Sequence, residues 1–199
     1  MYKAAYILRV FMSILLFLAA PYSMAAEAKV SEIAGVKISP YITQDGVKLL
    51  LNGAGIRYKF FFKVYVAALY LPEVTNDALS ILNQLPANRM LMRITYSEVP
   101  YKKLVSGWVD GFKNNISSSE FSILESRLNL FNQMFSSLHE GDVVLLDYFP
   151  GEGTRVTVKE VLKGTIEGAD FNRALLSVWL GESPVTGELK SALLRLPDD

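Results

Sequence analysis

The chain has 199 residues, 20 of them basic and 20 acidic, with one histidine and no cysteine. A balanced charge without a basic stripe argues against nucleic-acid binding, which depends on phosphate contacts. The absence of cysteine excludes disulfides, thiolate metal sites and a lipid anchor on an N-terminal cysteine.

The first residues read as a secretory leader. Lys3 and Arg9 form a basic start, Val10 to Ala20 an apolar core, Pro21 a break, and Ser23-Met24-Ala25 the small residues of a cleavage site. The apolar run is shorter than the roughly 20 residues that span a bilayer. Residues 1–25 are therefore expected to be a signal peptide and 26–199 a single domain without an integral membrane segment. Export without cysteine fits a bacterial periplasm better than an extracellular eukaryotic setting, where bridges are frequent.

Within the mature chain, Val36 to Thr43 and Val47 to Leu51 read as strands around the hairpin dipeptide Asp45-Gly46. Gly53-Ala54-Gly55 reads as a flexible turn that delivers Arg57. Phe60 to Leu71 holds only one charged residue, Lys63, and reads as a strand covered on both faces. Asn76 or Asp77 caps a short helix through Leu85, and Pro86 closes it. Met90 to Tyr96 is a further strand.

Pro100 marks the start of a helix whose face carries Tyr101, Leu104, Val105, Trp108, Val109 and Phe112. A second helix is expected from Ser119 to Leu138. Strands follow from Gly141-Asp142 to Phe149 and from Thr154 to Val161, and Lys163-Gly164 reads as a turn into a short strand at Thr165 to Glu167. Asp170 is expected to cap a helix that Gly181 stops, and Leu189 to Leu196 forms the last helix. Hairpins with clustered helices give an α+β fold built on an antiparallel sheet.

Few residues offer catalytic chemistry. His139 stands alone in a polar turn, His139-Glu140-Gly141-Asp142, and one histidine does not build a multi-histidine metal site. No catalytic residue, metal or cofactor is assigned. Arg57, Lys63, Tyr65, Tyr101 and Trp108 remain as candidate ligand-binding residues. Strand alternation places Arg57, Lys63 and Tyr65 together. Tyr101 and Trp108, seven residues apart, lie nearly above one another on a helix. A donor fork, phenolic hydroxyls and aromatic walls suit an apolar pocket with a few polar anchors. Each has a plainer reading: a surface ion pair for Arg57, core packing for the tyrosines and Trp108, and a lysine that snorkels to the sheet edge.

The Gly53-Ala54-Gly55-Ile56-Arg57 segment and the Lys63-x-Tyr65-x-x-x-x-Tyr70-Leu71 ending resemble the chalcone isomerase family, which includes fatty-acid-binding relatives. Phe131-Asn132-Gln133-Met134-Phe135, the strand Val143 to Tyr148, and Trp179-Leu180-Gly181-Glu182-Ser183-Pro184 extend the likeness over most of the mature chain. The resemblance implies a large antiparallel sheet with a layer of helices on one face, an open-faced sandwich with a cleft between the layers. In the plant enzymes an arginine after the Gly-Ala-Gly turn stabilises the substrate oxyanion, and Arg57 stands there. Tyr101 matches a tyrosine that opens the next helix. Tyr65 replaces a threonine that binds the ketone side, and Trp108 replaces an asparagine that contacts the flavonoid. The turn between Arg57 and Lys63 is also shorter than in the plant pattern.

Three functions follow as expectations. The favoured one is a periplasmic, non-catalytic binder of a small amphipathic anion such as a fatty acid or aromatic acid. The others are an isomerase acting on a chalcone-like phenol and a scaffold without a small ligand.

Overall fold

The structure, a computed structural model, describes residues 31–195. The leader read at Met1–Ala25 and the expected helix end at Leu196 lie outside these residues. In chain order the strands are β1 (Ser31–Ile33), β2 (Val36–Ile38), β3 (Tyr41–Gln44), β4 (Val47–Lys59) and β5 (Phe62–Leu71). Helix α1 (Ala78–Gln84), strands β6 (Asn88–Ile94) and β7 (Glu98–Val99), and helices α2 (Tyr101–Asn115) and α3 (Ser118–Gln133) follow. The chain then forms β8 (Leu138–His139), β9 (Val143–Phe149), β10 (Gly153–Val158), β11 (Val161–Ile166), α4 (Ala169–Leu180) and α5 (Gly187–Leu194).

Seven strands make one antiparallel sheet in the order β11-β10-β9-β6-β5-β4-β3. The sheet curls into a half-barrel with helices packed on it, the expected α+β class. Asp45 and Gly46 turn β3 into β4 with left-handed backbones at φ 45° and 83°, the conformation a tight two-residue hairpin needs. The expected turn at Lys163-Gly164 is corrected. Lys159 and Glu160 make it instead, at φ 53° and 64°, and Gly164 stays in β11 beside a register shift that skips Lys163.

The helix-facing core joins Tyr65, Ala67 and Leu69 of β5, Met90 and Met92 of β6, and Val144 and Leu146 of β9 to Leu104, Phe112, Leu128, Phe131, Phe171 and Trp179. The opposite side of β5 is also buried. Val66, Ala68 and Tyr70 meet Ile38 and Leu49 beneath the β1–β2 hairpin, so both faces of β5 are covered there, neither carries a charged residue, and the sandwich is closed at that point. The single strand read from Val36 to Thr43 is broken, because Ser39-Pro40 separates β2 from β3.

The glycine turn is the main correction. Gly53 and Gly55 lie inside the continuous strand β4. A Cβ on Gly53 would collide with the Ala192 carbonyl oxygen, and one on Gly55 would stand 2.6 Å from the Ala192 Cβ. The two glycines let α5 rest directly on the strand. The β4–β5 register skips Asn52. The buried amide of Asn52 donates to the Leu193 carbonyl at 2.8 Å and accepts from the Thr75 N–H at 2.8 Å, tying α5 and the loop after β5 to this strand.

Helix ends follow local chemistry. Asp77 caps α1 by accepting from the Ser80 N–H, and Ser117 with Glu120 forms a reciprocal capping box on α3. Helix α3 ends at Gln133 and Leu138 belongs to β8, so the long helix expected to Leu138 is shorter. Gly168 rather than Asp170 stands at the cap of α4, and both Asp170 carboxylate oxygens accept from Arg127. Thr186 caps α5, which begins at Gly187, two residues before the expected start.

Candidate functional site

Strand pairing builds the site. Register sets Arg57 of β4 opposite Tyr65 of β5, and the guanidinium lies 5.8 Å from the tyrosine ring centroid, within cation–π reach. The next pair is Tyr58 with Lys63, so Val64 is an extra residue in β5. Its carbonyl accepts from the Thr95 and Tyr96 N–H groups at 3.1 and 3.3 Å. Such a bulge re-aims side chains. Val64 joins Tyr65 in lining the cavity between sheet and helices. Lys63 pairs across from Tyr58, is exposed, and lines neither cavity of the cleft. The expectation that Lys63 shares a face with Tyr65 is therefore corrected.

The cleft has two chambers that share Arg57, Val64, Val99 and Lys103. The inner one, about 80 Å³, is walled by Met92, Ile94, Leu104, Trp108, Val178 and Val185. The outer one, about 340 Å³, is bordered by Phe60, Phe62, Tyr96 and Pro100, with Lys59 and Glu98 as its further charged residues. Three cations thus face one carboxylate around the mouth.

Besides the cations Arg57 and Lys103, two neutral donors line the inner chamber. The Tyr65 hydroxyl accepts from the Trp179 indole N–H at 3.0 Å, and its own proton has no acceptor among the described residues. Burial pushes its pKa up to about 12, against the opposing pull of Arg57 and the Trp179 bond, so the phenol is a neutral donor at physiological pH. Trp108 is buried edge-on against Phe131 and Trp179, with ring centroids 5.3 and 5.6 Å away. Its Nε1–H has no partner among the described residues, and a buried donor left unpaired is costly. Trp108 is thus both a core residue and part of the cavity wall.

Arg89, Arg127 and Arg155 each pair with an aspartate. Arg57 is one of four described arginines without a carboxylate partner within 4.0 Å among the described residues, with Arg93, Arg173 and Arg195, and of these it alone lines the cleft. The surface ion pair that was its plainer reading is absent there.

Tyr101 is not brought to the cleft. It is 39% exposed, lines neither chamber, and its backbone N–H donates to the Ser137 hydroxyl at 3.1 Å. Seven helical residues separate it from Trp108 by about 10 Å along the axis, and Lys103, Leu104 and Gly107 occupy the turn between them. The residues missed from sequence are Lys103 and Gly107, both at the cavity. A glycine inside a helix, adjacent to Trp108, was the available signal, since glycine there is unfavourable. A Cβ at Gly107 would meet nothing within 4 Å.

His139 lies in β8, exposed, with Nδ1 4.0 Å from Asp142 Oδ2. No cluster of metal-ligating side chains occurs among the described residues, and no described helix is long and apolar enough to cross a membrane.

A solved structure of a fatty-acid binding protein from Arabidopsis thaliana shares the fold, with a TM-score of 0.64. The two are 15% identical, over 83% of this chain and 95% of that one, a likeness that speaks to the fold. No curated protein matches the sequence. A family model described as chalcone isomerase-like matches residues 30–195, and the chain belongs to the chalcone isomerase-like family.

Proposed function

We propose that this chain is a periplasmic, non-catalytic binder of an amphipathic anion such as a fatty acid, exported by a leader cleaved after Ala25. Arg57 carries the reading: a half-buried guanidinium without a carboxylate partner, at the junction of an apolar inner chamber and an aromatic outer one. A carboxylate at that junction accepts from Arg57 and Lys103 on one side and from the Tyr65 hydroxyl and Trp108 indole on the other. The outer chamber, about 340 Å³ and bordered by Phe60, Phe62 and Tyr96, falls within the usual range for ligand pockets and takes the apolar remainder. The fatty-acid ligand named for the Arabidopsis thaliana protein of the same fold supports this class of ligand.

Binding is favoured over ring closure by the donor set. The inner chamber is lined by neither carboxylate nor imidazole, and Tyr65 holds its proton to high pH. Tyr101, the other residue that the enzyme reading relied on, lies outside the cleft.

Titration with a fatty acid series tests the reading. A charge-assisted hydrogen bond contributes about 1.5–3 kcal/mol, so Arg57→Ala weakens binding about tenfold or more. Arg57→Lys recovers part of that, because the planar fork is lost. Tyr65→Phe weakens binding less, and Tyr101→Phe leaves it unchanged. Wild-type affinity in a folded Arg57→Ala protein contradicts the anion anchor, and turnover of a chalcone-type phenol contradicts the non-catalytic part.

A further inference from the structure

The tip of the β4–β5 hairpin carries aromatic side chains where a soluble hairpin carries polar ones. Phe60 and Phe61 form the two-residue turn and are 86% and 81% exposed. Phe62 follows, its ring 4.3 Å from Phe61 and 5.5 Å from the exposed Tyr96, and Tyr58 is exposed on the other face of the hairpin. Phe61, Phe62 and Tyr96 make one continuous aromatic surface beside the exposed Phe60, and such a surface marks an interaction site.

The backbone reinforces the point. Phe60 sits at φ 56°, a left-handed conformation that suits glycine or asparagine and is strained for a bulky side chain. No packing inside the fold holds the ring there, since it is almost wholly exposed at the rim of the outer chamber. Strain retained at an exposed tip points to a role outside the fold.

Charge identifies the partner. The segment from Arg57 to Lys63 contains Arg57, Lys59 and Lys63 and no acidic residue, and Lys59↔Phe62 and Tyr58↔Lys63 are the pairs closing the hairpin. Two lysines thus flank three phenylalanines, with tyrosines just behind. Phenylalanine in the acyl boundary, tyrosine at headgroup level and lysine toward anionic headgroups is the arrangement of an interfacial membrane contact.

We infer that this hairpin tip docks on a lipid bilayer containing anionic headgroups, inserting Phe60 and Phe61 with Lys59 and Lys63 at the headgroup plane. Phe60 and Phe62 also border the outer chamber, so the docked tip opens the cleft toward the lipid surface. An amphipathic acid resting at that surface enters head first toward Arg57, and its tail leaves the bilayer last. The docking rests on the hairpin alone; only this route of entry rests on the proposed cavity ligand.

Vesicle flotation separates the two ideas. Phosphatidylcholine vesicles are compared with vesicles that also contain phosphatidylglycerol. The variant Phe61→Ser with Lys63→Glu is made in the same chain as wild type, so any N-terminal contribution is common to both. Neither residue lines a chamber, so fatty-acid titration is unaffected by this variant. Wild type is expected to float with the anionic vesicles, more weakly as salt rises, and the variant at least about tenfold more weakly. Phe61→Trp should shift its emission to the blue on these vesicles and be quenched by brominated lipid. Phe60→Asn should raise thermal stability by relieving the left-handed strain while weakening flotation, which rules out misfolding as the cause. Arg57→Ala should bind the fatty acid more weakly yet still float. Equal flotation of wild type and the double variant, or an emission of the Phe61→Trp protein that vesicles leave unchanged, overturns the inference. So does a tip that drives self-association of the protein in solution without any effect of vesicles.

Discussion

Arg57 and Tyr65 face each other because they are a cross-strand pair of β4 and β5. In the sequence they are joined only by alternation along one strand, which misses the hairpin that lies between them. Tyr101 was misplaced because helical periodicity gives the side of a helix and not the height along it. Gly107 was overlooked because a single helical glycine looks like noise, yet it leaves space at the cavity where any side chain would stand. The space suggests a direct test. Gly107→Ala should raise stability by up to about 1 kcal/mol, the helix-propensity difference, while weakening fatty-acid binding. Thermal unfolding and the ligand titration read the two effects separately. A variant that gains stability and keeps full affinity would mean that the ligand does not reach this turn of α2.

At the scale of elements, the β3–β4 hairpin and the amphipathic helices were legible, whereas the β4–β5 turn at Phe60-Phe61, the β10–β11 turn and the irregularities were not. Asn52, Val64 and Lys163 are each skipped in a strand register, and nothing in local composition marks a bulge. The shift at Val64 alone removes Lys63 from the site. The glycines of β4 were legible as a special feature but misread as a turn, because their partner, α5, arrives more than 130 residues later in the chain. Gly53→Ala should destabilise the protein by about 1–3 kcal/mol, the usual range for overpacking, since its Cβ would collide with the Ala192 and Leu193 carbonyls. Gly187→Ala, where a Cβ meets nothing within 4 Å, is the control and should be near neutral. Urea denaturation measures both, and equal stability of the two variants would contradict the close contact of α5 with β4.

For the whole molecule, the fold class was legible because hairpins and clustered helices point to an antiparallel α+β fold, and the motifs that carry the family resemblance, from Gly53 to Pro184, lie within the family match at 30–195. The closing of the far face by the β1–β2 hairpin was not legible, because three-residue strands carry almost no periodic signal. Global stability should also report the buried phenol at the site. Tyr65 has its pKa raised from 10.0 to about 12 by burial. The folded state therefore holds this proton more tightly than the unfolded chain. The resulting stability is fully present below pH 10 and is lost as pH rises through about 12. Tyr65→Phe should flatten the fall of unfolding free energy across that window, as read by denaturant titrations at a series of alkaline pH values. An unchanged slope would show that the hydroxyl is open to solvent.

The central claim is that the cleft holds an amphipathic acid by Arg57, and native mass spectrometry of the protein purified from its own cell envelope tests it most directly. Wild type should carry one such acid per chain, released on extraction with organic solvent, and Arg57→Ala prepared in parallel should carry markedly less. A ligand-free wild type that also takes up no added fatty acid would contradict the claim, as would the same acid retained at the same occupancy by the Arg57→Ala protein.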